Sequence, residues 1–258
     1  MSDFLAICEQ AARAGGAVLQ EWAGKFSVRE KGPADLVTEA DLASQEAVKK
    51  VVLGAFPQHG FLGEEGGYVP VEDGGYRWVV DPLDGTTNYV HGVPQYAVSV
   101  ALEQGDTLLA ATVFDPCSQE CFTAAAGQGA WLNGRKIVPS DVTAANRSLV
   151  AVSLPPTVQR SGAEIPALVE SMMAAQAIRR MGSAALNLAY VACGRFDAAW
   201  AADTKAWDVA AGFLLIREAG GIITDLDGSR ATLVRPRFLA ASTAPLHEQW
   251  MSIVKVLA

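Results

Sequence analysis

Cysteine, histidine and excess positive charge are all scarce in this chain, and each scarcity removes a class of function. The four cysteines, Cys8, Cys117, Cys121 and Cys193, are scattered over 258 residues, so no disulfide framework is written in the sequence. Cys117 with Cys121 lacks the second pair a cysteine metal site would need, and all four are expected to be reduced and mostly apolar fillers. His59, His91 and His247 have no partner at nucleophile–base or metal spacing, which favours surface or packing roles. Twenty basic against 28 acidic residues leave a net charge of −8, which argues against broad binding to nucleic acid or anionic lipid. Membrane-length apolar runs are missing, and Met1-Ser2-Asp3-Phe4 is not a basic leader before an apolar block, so a cytoplasmic protein without a membrane partner is expected. There is no internal repeat, no low-complexity tract and no Gly-x-x-x-x-Gly-Lys-Ser/Thr loop of a nucleoside triphosphatase.

What is present is apolar material: 50% of the residues are hydrophobic and 19% charged, enough for a large core in one domain or two tightly joined halves. Phe4, Leu5, Ile7, Cys8, Ala11, Ala12, Val18, Leu19 and Trp22 recur at helical spacing and predict a first amphipathic helix. Thr38-Glu39-Ala40-Asp41 resembles a capping box before a second helix that Pro57 closes. Strand-like runs follow at 95–102, 107–115 and 120–126, with a hairpin at Asn133-Gly134, an antiparallel meander. From Ser148 the pattern alternates, with short strands at 149–153, 177–180, 196–201, 222–225 and 238–242 and helices around 163–175, 184–193, 207–219 and 246–257. A soft boundary near 146 divides an N-terminal half, 1–146, from a C-terminal half, 147–258, without a flexible linker, so the two are expected to act as one unit.

The chemistry concentrates in Asp81-Pro82-Leu83-Asp84-Gly85-Thr86-Thr87-Asn88. Asp81 follows the buried-strand run Trp78-Val79-Val80, where open α/β proteins bind ligands, and Pro82 is expected to stop sheet pairing there. Gly85 permits a backbone conformation that leaves the amides of Gly85, Thr86 and Thr87 pointing at an anion, while the carboxylates suit Mg²⁺. Asp-Gly is also an ordinary turn, so the segment alone leaves both readings open. Gly63-Glu64-Glu65-Gly66-Gly67 sets two adjacent carboxylates between glycines, either a solvated acidic turn or a pair needing a cation or proton. Trp207-Asp208-Val209-Ala210-Ala211-Gly212 places an acid in a first helical turn, where it is also simply favourable to the helix dipole. Asp225 and Asp227 imitate an acidic metal loop but read as turn formers.

Taken in order, these three acidic segments resemble those of the inositol monophosphatase family, and the resemblance extends to Lys31 through Asp41, Gly182-Ser183-Ala184-Ala185-Leu186 and Glu218-Ala219-Gly220-Gly221. It implies an α/β (α+β) fold, a layered αβαβα sandwich of the inositol monophosphatase and fructose bisphosphatase type. It implies an Mg²⁺-dependent, lithium-sensitive phosphomonoesterase that holds two or three ions, commonly as a homodimer. By resemblance, Glu64, Asp81 and the carbonyl of Leu83 are ligands of one Mg²⁺, and Asp81, Asp84 and Asp208 of a second. Glu65, Thr86 and Asp41 orient the attacking water, with Asp41 accepting from the Thr86 hydroxyl, and Asp84, Gly85 and Thr86 meet the phosphate. Asp41 then has both a capping and a catalytic task, and the two can coexist. Lys31 has at most a supporting electrostatic role. The alcohol of the substrate is expected against Gly182, Ser183 and Ala184 and against the position seven residues before Asp208, which is an acid in the family. Here that position is Ala201, leaving Asp203 and Lys205 as substitutes. Inositol monophosphate is the default substrate. Histidinol phosphate, a sugar phosphate and a 3′-phosphonucleotide stay open, as does a regulatory binding protein built on the same fold.

Overall fold

The computed structural model describes residues 2–32, 35–71 and 73–257. Pro33, Ala34 and the side chains of Lys31 and Asp35, part of the segment matched above, lie outside the described residues. Helix α1 (Ser2–Trp22) leads into a hairpin of β1 (Val28–Gly32) and β2 (Asp35–Thr38), then α2 (Glu39–Ala55). An eight-stranded sheet follows: β3 (Gly60–Gly63), β4 (Gly66–Val69), β5 (Tyr76–Asp84), β6 (Ala97–Gln104), β7 (Thr107–Asp115), β8 (Glu120–Ala125), β9 (Gly129–Leu132) and β10 (Arg135–Lys136), with the short helix α3 (Thr86–Val90) after β5. Its order is β10-β9-β8-β7-β6-β5-β3-β4. The chain then builds β11 (Leu149–Ser153), α4 (Glu164–Ala174), β12 (Ala177–Arg179), α5 (Ala184–Ala192), β13 (Ala198–Ala201), α6 (Ala206–Ala219), β14 (Ile222–Thr224), β15 (Phe238–Ala241) and α7 (Ala244–Ile253). The second sheet has five strands in the order β12-β11-β13-β15-β14.

Strand alternation decides how these elements stack. Trp78, Val80, Val98, Val100 and Leu102 face α1 and α2, while Val79, Ala97, Ala101, Ala111 and Val113 face α5 and α6. In the second sheet Ala151, Ala199, Ala201 and Ala240 turn to the same α5–α6 layer, and Val150, Val152, Trp200 and Leu239 turn to α4 and α7. The result is helices, sheet, helices, sheet, helices, the αβαβα sandwich expected from the sequence. The middle helices are sandwiched by both sheets, so they carry small residues: a Cβ on Gly212 of α6 would stand 2.4 Å from the side chain of Leu188 of α5.

Strand β5 differs from expectation. Pro82 does not end its pairing, because Asp81 pairs with Ser99 and Asp84 with Ala97, three residues against two. That is a β-bulge, one of the few places where a sheet accepts proline. The predicted turn at Asn133-Gly134 is present with φ of +48° and +76°, the left-handed pair that tight hairpins use. All four cysteines are free thiols. His59 stacks between Phe56 and Tyr76, and His247 is buried against Thr224, so both pack. Asp225 and Asp227 form a turn tied to Arg237. No described helix is long and apolar enough to cross a membrane.

Candidate active site

Three elements converge on one end of β5. The first is the turn between β3 and β4 that carries Glu64 and Glu65. Gly66 and Gly67 adopt φ of +80° and +69°, and the turn is clamped by Gln45 of α2, whose Oε1 accepts from the Glu65 amide at 3.0 Å and whose Nε2 donates to the Gly66 carbonyl at 3.2 Å. A side chain at Gly63 would collide with Gln45. The second element is the bulge itself. Asp81 is buried, its Oδ1 accepts from the Leu83 amide at 2.9 Å, and the Pro82 carbonyl accepts from the Ser44 hydroxyl at 2.9 Å. The third is the first turn of α6, where Asp208 accepts from the Lys205 amide at 2.8 Å and so caps its own helix.

Asp84 joins the two halves of the chain. Its Oδ2 accepts from the Ser183 hydroxyl at 2.5 Å and from the Ala185 amide at 2.6 Å, at the start of α5. Ser183, predicted as a substrate contact, is also the N-cap of α5, accepting from Leu186. Gly85, at φ +103°, turns the chain into α3; a Cβ there would stand 3.0 Å from the Gln95 carbonyl, so the position requires glycine. The first amides of α3 then have no intrahelical acceptor. Asn88 locks this loop to the next, donating to the carbonyls of Gln95 at 2.6 Å and Met181 at 2.8 Å.

Asp41 caps α2 and also meets Thr86. Its Oδ2 accepts from the Thr38 amide and hydroxyl, closing the capping box of α2, while its Oδ1 accepts from the Thr86 hydroxyl at 3.2 Å. The same hydroxyl lies 3.1 Å from the Leu83 carbonyl, so one proton has two acceptors to choose between.

The electrostatics follow from burying like charges together. Burial, then Glu64, Asp84 and Asp208, hold the Asp81 carboxyl well above the usual carboxylate range. Burial lifts Asp84 to about 6 against the pull of its Ser183 and Ala185 hydrogen bonds. Burial and then Asp84 push Asp208 up to about 8, opposed by the Lys205 amide. Among the described residues no three acidic, histidine or cysteine groups close into a ligand cage on their own. A set of hard oxygen donors that resist ionisation without a counter-charge fits a divalent cation such as Mg²⁺, which dehydrates reluctantly and keeps waters rather than needing an all-protein cage.

Asp84 and Asp208 open into a cleft of about 430 Å³ shared with Thr87, Gly182, Ser183, Ala184 and Asp203. A second hollow of about 400 Å³ adjoins it between Glu64, Asp203, Lys205 and Asp208. Ala201 is not among these groups: it is fully buried, paired with Ser153 and Phe238 in the second sheet and facing the helix layer. The sequence reading missed Gln45, although it lies one helical turn after Asp41 on the same face of α2, a spacing that could have revealed it. It also missed Ser44, Ser153 and Arg180, which no motif marks.

The comparisons agree with this geometry. The model of the inositol monophosphatase family matches residues 1–256. The chain is 47% identical over 199 residues to an inositol-1-monophosphatase of Rhizobium meliloti, covering 77% of this chain and 75% of the relative. It is 39% identical over 251 residues to the Nus factor SuhB of Pseudomonas aeruginosa, covering 94% and 93%. Among solved structures, the extragenic suppressor protein suhB of Bartonella henselae superposes with a TM-score of 0.94 at 36% identity, covering 98% of both chains. The chain thus belongs to the inositol monophosphatase family, whose members are phosphoric monoester hydrolases that use metal ions and act on small phosphorylated substrates.

Proposed function

We propose that the protein hydrolyses inositol monophosphate or a closely similar phosphorylated alcohol with Mg²⁺, its two halves acting as one catalytic unit. Glu64, Asp81 and the Leu83 carbonyl would hold one ion, and Asp81, Asp84 and Asp208 another. Bound Mg²⁺ supplies charge neutralisation at the phosphate oxygens and a lowered pKa for water. The protein supplies orientation. With its proton given to Asp41 Oδ1, the Thr86 hydroxyl turns a lone pair outward to accept from water, and Glu65 on the opposite loop is the second group that fixes it. The amides of Gly85 and Thr86 at the start of α3 hold the phosphate, and the cation site of Asp81, Asp84 and Asp208 would face the departing oxygen. The reading is supported most by Asp208, an acid far along the chain whose charged form is penalised by burial and then by Asp84 and Glu64.

The test is phosphate release with Mg²⁺ from inositol 1-phosphate, histidinol phosphate, sugar phosphates and a 3′-phosphonucleotide, beside Asp84→Asn and Asp208→Asn. Both variants should lose most of the activity; variants that match the parent on every substrate would sink the assignment. Inhibition by millimolar-range Li⁺, a homodimer in solution and a cytoplasmic location belong to the same reading.

A second reading draws on the relatives named Nus factor, 39% identical over nearly the whole chain. In that reading the protein is a binding partner on this fold and its catalysis is incidental. It requires the Asp84→Asn variant to keep its biological effect while losing phosphate release.

A further inference from the structure

Three polar groups with no part in the hydrolysis above line the same cleft as Asp84 and Asp208: Ser153, Arg180 and Asp203. Their placement follows from topology. Strands β12, β11 and β13 are neighbours and parallel, so their carboxyl ends lie along one edge, where α/β sheets bind ligands. Ser153 closes β11, Arg180 directly follows β12, and Asp203 lies two residues past β13.

Arg180 and Asp203 have opposite charges yet make no ion pair among the described residues. The strand between them keeps them apart by two strand spacings, roughly 10 Å. Between them stands Ser153, whose oxygen accepts from Asn187 Nδ2 at 3.1 Å. Asn187 is itself buried, so the accepted bond turns the Ser153 proton away from it and leaves that proton free to be donated. The row therefore reads cation, hydroxyl donor, carboxylate acceptor.

We propose that this row selects a phosphorylated polyol whose alcohol portion carries a second anionic group, paired with Arg180, while Ser153 and Asp203 take its hydroxyls. The proposal rests on the hydrolase reading and narrows its substrate. A neutral polyol such as inositol would satisfy Ser153 and Asp203 and leave the Arg180 guanidinium without a counter-charge.

The test compares kcat/KM within two pairs that differ in the second anion: glucitol 6-phosphate with 6-phosphogluconate, and inositol 1-phosphate with inositol 1,4-bisphosphate. The doubly anionic member should be favoured at least about tenfold, the discrimination that one charge-assisted hydrogen bond gives. An advantage in the first pair identifies a carboxylate and in the second a phosphate. Arg180→Gln should bring that ratio towards one, and Arg180→Lys, which keeps the charge without the planar fork, should retain part of it. Ser153→Ala should raise KM more than it lowers kcat. The proposal is overturned if neither doubly anionic substrate is favoured, or if the ratio survives in Arg180→Gln. Failure of the underlying hydrolase reading is separately visible, since Asp84→Asn and Asp208→Asn would then cleave as fast as the parent.

Discussion

Asp41 and Thr86, 45 residues apart, meet at 3.2 Å through the one carboxylate oxygen of Asp41 that does not cap α2. The helix cap and the proposed water-orienting contact thus use different atoms of the same side chain and can be separated by substitution. Asp41→Asn replaces one of the two oxygens with an amide, and the Thr86 hydroxyl then has the Leu83 carbonyl as its alternative acceptor. Activity should fall about 10–100-fold, the usual effect of losing an outer-shell partner, with KM little changed. Asp41→Ala should in addition lower unfolding free energy by about 1 kcal/mol, the typical value of a lost cap. Steady-state kinetics and denaturant unfolding read the two effects, and equal kcat in Asp41→Asn and the parent would refute the water-orienting role.

Gln45 holds the Glu64–Glu65 turn by two hydrogen bonds. Gln45→Ala frees the turn and should reduce kcat by about 10–100-fold while substrate KM holds. Gln45→Glu keeps an acceptor for the Glu65 amide but sets a carboxylate against the Gly66 carbonyl and Glu65, so its activity should respond to pH differently from the parent. Matching pH profiles for the parent and Gln45→Glu would count against this.

Cation-free protein should lose stability as pH rises from 7 to 9. Asp208 titrates near 8 when folded against an ordinary 3.8, so its protonated form stabilises the fold at low pH, and the contribution disappears as pH climbs through 8. His59 and His247 have lowered pKa values through burial and act in the opposite sense, chiefly below this window. Unfolding midpoints in EDTA at pH 7 and 9 measure the slope. Asp208→Asn should flatten it, and added Mg²⁺ should raise the midpoint more at pH 9 than at pH 7; a parent slope that Asp208→Asn leaves intact would disprove the assignment.

Gly85→Ala forces a side chain to φ +103° and to 3.0 Å from the Gln95 carbonyl. A destabilisation of at least about 1–2 kcal/mol is expected from the left-handed backbone alone. Activity should fall further than stability explains, because the amides at the start of α3 rotate with the turn. A variant with parental kcat at a temperature well below its melting point would contradict that role.

Elements with a strong hydrophobic period were legible in the sequence. Strands β7 and β11 begin and end where the alternation does, because both carry buried residues between turn signals. The β1–β2 hairpin was missed, since Val28 to Glu30 are exposed and show no apolar alternation, and α3 is too short to show a helical period. Pro82 misled because a local rule about hydrogen-bond donors does not see a bulge that forms only when β6 pairs alongside. Ala201 misled for a related reason. Counting back from Asp208 finds a family position but not the phase of β13, which points that residue at the helices and leaves Asp203, beyond the strand, to face the cleft. The acidic segments stood out in the sequence, but each alone also read as a turn or a helix start, and only the resemblance to the family joined them.

Helix α6 is fastened to the eight-stranded sheet at both ends: Ser99 donates to the Trp207 carbonyl at 3.1 Å, and Glu218 accepts from the amides of Gly127 and Gly129, each at 2.8 Å. Asp208 is therefore anchored to the sheet that carries Asp81, whereas Ser153 and Arg180 stand at the end of the other sheet. Helices α5 and α6 pack against both sheets, so a substitution on the second sheet can reach the carboxylates only through that shared helix layer.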